Sequence, residues 1–184
     1  MPSKQVIHVF GASGSGATTL ARALGDHYGF HLIDTDDAIW EKVEPPFTIR
    51  KSVSSSREYL KRELTNNPRS VISGAFVGWG DEFKPLVNLF IYLHLPLTVR
   101  LERIQTREEN RFGTRVLPGG DLYQQHLDFL KWVSQYETNS SDIRSQKQHE
   151  IWLKDVSVPV IRITEVLSIP ELLKLLEPHL KKNS

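Results

Sequence analysis

Five short apolar runs punctuate the chain, at residues 6–10, 30–34, 70–74, 87–95 and 158–163. Most are apolar at nearly every position, not at alternate ones, which predicts strands covered on both faces, as in a parallel sheet. Between them the apolar period lengthens to three and four. At 18–27, Leu20, Ala21, Ala23 and Leu24 share one face, and Gly29 follows as a C-cap. Further helices are predicted over 56–66, 98–111, 121–137 and, more weakly, 140–154. In the stretch 121–137, Phe129, Trp132, Val133 and Tyr136 fall on one side. A last helix opens at Ser168 with a capping box to Glu171 and proline in its first turn. Strands alternating with helices give βαβ units and a parallel α/β fold. No repeat or linker breaks the pattern, so residues 1–184 are read as one domain.

The first strand runs straight into Gly11-Ala12-Ser13-Gly14-Ser15-Gly16-Ala17-Thr18-Thr19 and then into a helix. Glycines in that setting let the backbone curl until successive N–H groups point at a phosphate, and the helix N-terminus adds its partial positive charge. These residues form the expected nucleotide cradle. Thr18 stands where the pattern G-x-x-x-x-G-K-[ST] puts a hydroxyl on Mg²⁺. The lysine of that pattern is replaced by Ala17. A P-loop lysine is a point charge on the β- and γ-phosphates, so either another cation substitutes, or chemistry is weak, or the protein only binds.

The second strand ends in Ile33-Asp34-Thr35-Asp36-Asp37. Carboxylates at the carboxyl end of a parallel strand lie where such sheets bind ligands. If the chain stays extended, Asp34 and Asp36 share a face. Asp34 would then act toward the metal shell and Asp36 toward an acceptor hydroxyl. The other reading is that one of them caps a helix through 38–42. Trp40, beside them, is the aromatic placed to line an acceptor pocket.

With these residues in hand the chain resembles the small P-loop kinases related to shikimate kinase, gluconate kinase and the nucleoside monophosphate kinases. FHLIDTDDAIWEK is similar to the shikimate-kinase segment F-x-D-x-D-x-x-I-E. SREYLKRELTNNPRSVISGAF is similar to the helix and third strand that follow, and TVRLERIQTREENRFGTR to the arginine-bearing approach to the lid. The resemblance implies a three-layer fold with a five-stranded parallel sheet in order 2-3-1-4-5, ATP with Mg²⁺, and phosphoryl transfer to a small acceptor. It puts Asp34 and Thr18 near the metal and Asp36 on the acceptor. Arg57 is a loose match to the family's substrate arginine, and Gly74 stands in a partly matching glycine turn. Pro45-Pro46 and Gly78-Trp79-Gly80-Asp81 depart from shikimate kinases, which marks a divergent branch.

Arg100, Arg103, Arg107 and Arg111 form a stripe along one helix, opposite Leu97, Leu101 and Ile104. Arg100 and Arg103 read as structural or solvated, paired with neighbouring glutamates. Arg107, Arg111 and Arg115 approach Phe112-Gly113 and Pro118-Gly119-Gly120, where glycines could hinge a lid over 107–121, and are candidates to meet charge on a transferred phosphoryl group.

Composition narrows the picture little. A net charge of +1 gives no footprint for nucleic acid or an anionic membrane. The absence of cysteine excludes disulfides and thiolate metal sites and fits a cytoplasmic setting. His126 and His149 lack metal-ligand spacing, and Trp132 and Trp152 read as core. Lys181 and Lys182 read as a solvated helix end. Two functions remain open: an ATP-dependent small-molecule kinase, and a nucleotide-binding regulatory module whose chemistry is weak because of Ala17.

Overall fold

The computed structural model describes residues 4–180; Lys181 and Lys182 lie outside them. In chain order the elements are β1 Gln5–Gly11, α1 Ala17–Tyr28, β2 His31–Asp34, α2 Thr35–Ile39, α3 Val53–Asn66, β3 Arg69–Ser73, β4 Leu89–Leu93, α4 Leu97–Phe112, α5 Tyr123–Ser134, α6 Gln146–Trp152, β5 Val160–Ile163 and α7 Ile169–Leu176. The strands pair in parallel in the order β2-β3-β1-β4-β5. β1, β3 and β4 are buried at every position, and the edge strands β2 and β5 only in part. That difference follows from position: a central strand has helices on both faces and a strand on each side.

Side-chain parity along β1 sorts the core into two layers. Ile7 and Val9 face Leu20 and Leu24 of α1 and Leu172, Leu173 and Leu176 of α7. Val6 and Phe10 face Leu60 and Leu64 of α3, with Phe76, Phe90 and Trp152. His8 lies in this second layer, its ring stacked 4.5 Å from that of Phe10 and 4.2 Å from that of Phe76. Burial holds its pKa down at about 3, so the ring is neutral, and Nε2–H donates to the Gly74 carbonyl at 2.7 Å. A core imidazole thereby anchors the turn after β3.

Two helices differ from the sequence pattern. The weak stretch 140–154 contracts to α6, which starts where Ser145 Oγ accepts the Gln148 N–H at 3.0 Å. The stretch 121–137 contracts to α5, where Val133 is buried but Trp132 is 40% exposed. Trp132 is therefore not a core residue. Trp152 is.

α4 is locked in place by Arg100, whose side chain is wholly buried. Its Nε donates to the Leu95 carbonyl at 2.9 Å and its Nη1 reaches the Ser13 carbonyl at 3.5 Å. Nη2 pairs with Glu137, and the guanidinium lies 5.5 Å over Tyr136. One side chain thus ties the glycine-rich loop, the start of α4 and the segment after α5 together. Removing it leaves a cavity and an unmatched carboxylate. Arg100→Ala should cost about 3 kcal/mol in urea unfolding. Glu137→Gln, which leaves the two carbonyl contacts in place, should cost clearly less.

Candidate functional site

The loop between β1 and α1 gets its shape from two glycines and the helix beneath it. Gly14 has φ 82°, and a Cβ there would meet the Arg100 carbonyl oxygen at 2.6 Å. Gly16, the N-cap of α1, has φ 94° and gives no side-chain cap. The first-turn amides of α1 thus lack an internal side-chain partner and keep their affinity for anions. Ser15 Oγ is buried beside them without a hydrogen-bond partner. An orphaned hydroxyl in a ring of backbone donors fits a phosphate oxygen.

The loop opens onto a cavity of about 1170 Å³. Every residue of the expected cradle lines it: Gly11, Ser13, Gly14, Ser15, Gly16, Ala17, Thr18 and Thr19. So do Asp34, Asp36, Trp40, Gly74, Arg107 and Arg111. Arg57 does not; its Nε donates to the Trp79 carbonyl at 2.6 Å and braces that turn. Nor does Arg115, which bonds Asp121 at 2.8 Å and pairs with Glu44.

The two aspartates do not share an extended strand. Asp34 ends β2 and caps α2, its Oδ1 accepting the Asp36 N–H at 2.9 Å. Asp36 then lies in the first turn of a helix. The physical reason is the strength of aspartate as an N-cap, which starts the helix at Thr35, three residues earlier than 38–42. Both still face the cavity. Burial raises Asp34 to about 6, with Asp36 and Asp37 adding to the effect and Arg22 opposing it. Its recessed position raises Asp36 too, against the pull of Arg144, Arg107 and Arg111.

Arg144 carried no sequence signal of function. It precedes the α6 cap, its Nη2 donates to the Gly11 carbonyl at 2.8 Å, and it lies 5.3 Å over the Trp132 ring. Its Nε is buried without a partner, and burial works against its charge. The Ser145-x-x-Gln148 cap was the one local hint that would have placed it just before a helix. His126, buried on α5, also lines the cavity with Nδ1 unpartnered. Phe129 stacks on Trp132 at 6.0 Å, and Trp40 meets Phe47 edge-on at 6.1 Å. One end of the cavity is therefore a backbone anion cradle, and the other combines aromatic walls with arginines around a carboxylate.

Among the described residues no cluster of three or more His, Cys, Asp or Glu side chains could hold a metal. Mg²⁺ needs less than that, since it keeps several waters and takes one or two protein oxygens plus phosphate. Thr18, whose hydroxyl meets that of Ser73 at 2.9 Å, and Asp34, a carboxylate whose burial Arg22 offsets only in part, fit that donor set. Among the described residues, no helix is long and apolar enough to cross a membrane.

No family model matches the chain. It is 37% identical over 180 residues to the uncharacterized protein YqaC of Bacillus subtilis, covering 98% of this chain and 99% of that protein. The chain belongs to the YqaC family. A cytidylate kinase of Pyrococcus furiosus is 29% identical over 113 residues, 56% of this chain and 57% of that enzyme. Among solved structures, shikimate kinase from Acinetobacter baumannii in complex with shikimate superimposes with a TM-score of 0.54 at 19% identity, covering 98% and 97% of the two chains. The fold of this YqaC-family chain is that of the small P-loop kinases, and this chain has alanine at the loop's lysine position.

Asp34 makes stability depend on pH. Its folded pKa of about 6 lies above the ordinary 3.8. Between those values the folded state binds more protons than the unfolded one, so stability falls as pH rises and the deficit is complete above about pH 6. Asp34→Asn keeps the cap acceptor and removes the charge. In chelator-containing buffer it should stabilise the protein by about 1 kcal/mol at about pH 7.5 and by almost nothing at about pH 4. Urea titrations at the two pH values check both sign and window.

Proposed function

We propose that this protein is an ATP-dependent phosphotransferase acting on a hydroxyl or phosphate oxygen of a small, planar, anionic acceptor in the cytoplasm. The observation that carries the reading is a single cavity with two chemically different ends. The loop 11–19 offers amides and hydroxyls to polyphosphate. Asp36 stands at the other end in the field of Arg144, Arg107 and Arg111. An acceptor between Trp40, Phe47, Phe129 and Trp132 would stack its ring and present its anion to those arginines.

In this reading the amides of 13–19 hold the phosphates, and Thr18 and Asp34 hold Mg²⁺. The metal, when bound, neutralises charge on the phosphates. Asp36 orients an acceptor hydroxyl and takes its proton as the acceptor oxygen bonds to the γ-phosphorus and the β–γ bridge bond breaks. Positioning matters more than base strength in so loose a transition state. Arg107 and Arg111 meet the charge on the transferred group. Segment 107–121 serves as a lid: Arg115 pairs with Glu44 and Arg111 lies 5.0 Å over Phe47, while Gln125, just beyond it, donates to the Pro46 carbonyl at 2.9 Å. These contacts join it to the 40–51 loop and keep water from the acceptor end. Arg115 thus acts by holding the lid, and Arg57 by bracing the turn after Gly74.

The alternative, a nucleotide-binding regulatory module, is favoured by Ala17. ADP release from Mg-ATP separates the two, with mononucleotides, aromatic hydroxy acids, shikimate and sugar acids as acceptors. Turnover with a planar anion is expected; nucleotide binding without turnover on any acceptor favours the module. Asp36→Asn should lower turnover about 100-fold while ATP affinity changes little. Gly16→Val should abolish the rise in melting temperature that millimolar Mg-ATP gives the parent.

A further inference from the structure

The P-loop lacks its cation, yet a cation touches it. α4 packs directly on the loop: a Cβ at Gly14 would meet the Arg100 carbonyl oxygen at 2.6 Å and Ile104 Cδ1 at 3.0 Å. Arg103, three residues after Arg100, therefore projects over the next part of the loop. Its Nη1 lies 3.4 Å from the Ser15 carbonyl oxygen and 3.4 Å from where a Gly16 Cβ would stand. Ala17, the next residue, leaves only a methyl group where a lysine side chain would extend.

Most other arginines near the cavity have partners, and Arg22, which also lines it, acts on Asp34. Arg100 is paired with Glu137, and Arg107 with Glu108 at 3.3 Å. Arg111 lies over Phe47 and Phe112. Arg144 is held by the Gly11 carbonyl and Trp132. Arg103 has no carboxylate within ion-pair distance among the described residues; its one recorded polar contact, to the Ser15 carbonyl, is long at 3.4 Å. A guanidinium so placed gains two charge-assisted bonds when a phosphate enters, in exchange for one weak carbonyl contact.

We infer that Arg103 supplies, from α4, the positive charge on the distal phosphates that the P-loop lysine supplies elsewhere, with Ala17 making room for it. The inference rests on the nucleotide reading of the loop. It separates Arg103 from a residue that merely supports a base, because inorganic tripolyphosphate has no base to support.

The probes are Mg-tripolyphosphate, ATP, ADP and adenosine, titrated calorimetrically. Arg103→Ala should weaken tripolyphosphate and ATP about 10- to 100-fold, ADP less, and adenosine hardly at all. Arg103→Lys should keep most of the parent affinity. Ala17→Lys added to Arg103→Ala should restore about tenfold or more of the loss. Ala17→Lys alone should not tighten binding, since two cations would crowd one spot. Melting curves without ligand show whether Arg103→Ala folds; if it does not, Arg103→Lys and Ala17→Lys carry the comparison. Unchanged tripolyphosphate binding in Arg103→Ala, or a marked gain in Ala17→Lys alone, would overturn the inference and leave the nucleotide site standing. A parent protein that binds neither ATP nor tripolyphosphate would remove both.

Discussion

A single buried guanidinium holds the working parts of this fold in register. Arg100 bonds the carbonyls of Leu95 and Ser13 and pairs with Glu137, so the end of β4, the phosphate loop and the segment after α5 move as one body. Taking a guanidinium out of water is costly, and only complete pairing offsets that cost. Losing the Arg100 side chain therefore removes all three ties at once. The glycine-rich loop is held firm by this, and the position of every other arginine on α4 follows too, since helical spacing counts from the locked residue.

The aromatic end of the cavity is built on different terms. Its walls come from the 40–51 loop and from α5, elements bridged by exposed or half-buried contacts such as Gln125 to Pro46 and Arg115 to Glu44. Exposed ion pairs contribute little each. The aromatic end is thus the softer half of a cavity whose glycine-rich end is stiff, a division that would suit the proposed admission and release of a small molecule.

Much of this was legible in the chain. The strands were visible because full burial leaves continuous apolar runs, and the loop because all its residues are contiguous between a strand and a helix. The capping box at Ser168 appeared as written, with Glu171 Oε2 accepting the Ser168 N–H at 2.8 Å. What stayed hidden depends on how distant segments meet. Trp132 looked like core from its spacing, but the packing of α5 leaves it lining the cavity. Arg144 and Arg103 are ordinary arginines in polar stretches until β1 brings its terminal loop beneath them. The Asp34–Asp36 pair was found, but its geometry turned on a contest between strand and cap that spacing alone does not decide.

The methyl group at position 17 has a practical side. Reagents that carry an acyl phosphate on a nucleotide find their targets by acylating a nearby amine, which in P-loop proteins is the loop lysine. Here the reagent would meet an alanine and a guanidinium that stays protonated at any working pH. A survey of nucleotide-binding proteins based on such labelling would pass over this one, however tightly its loop held the phosphates.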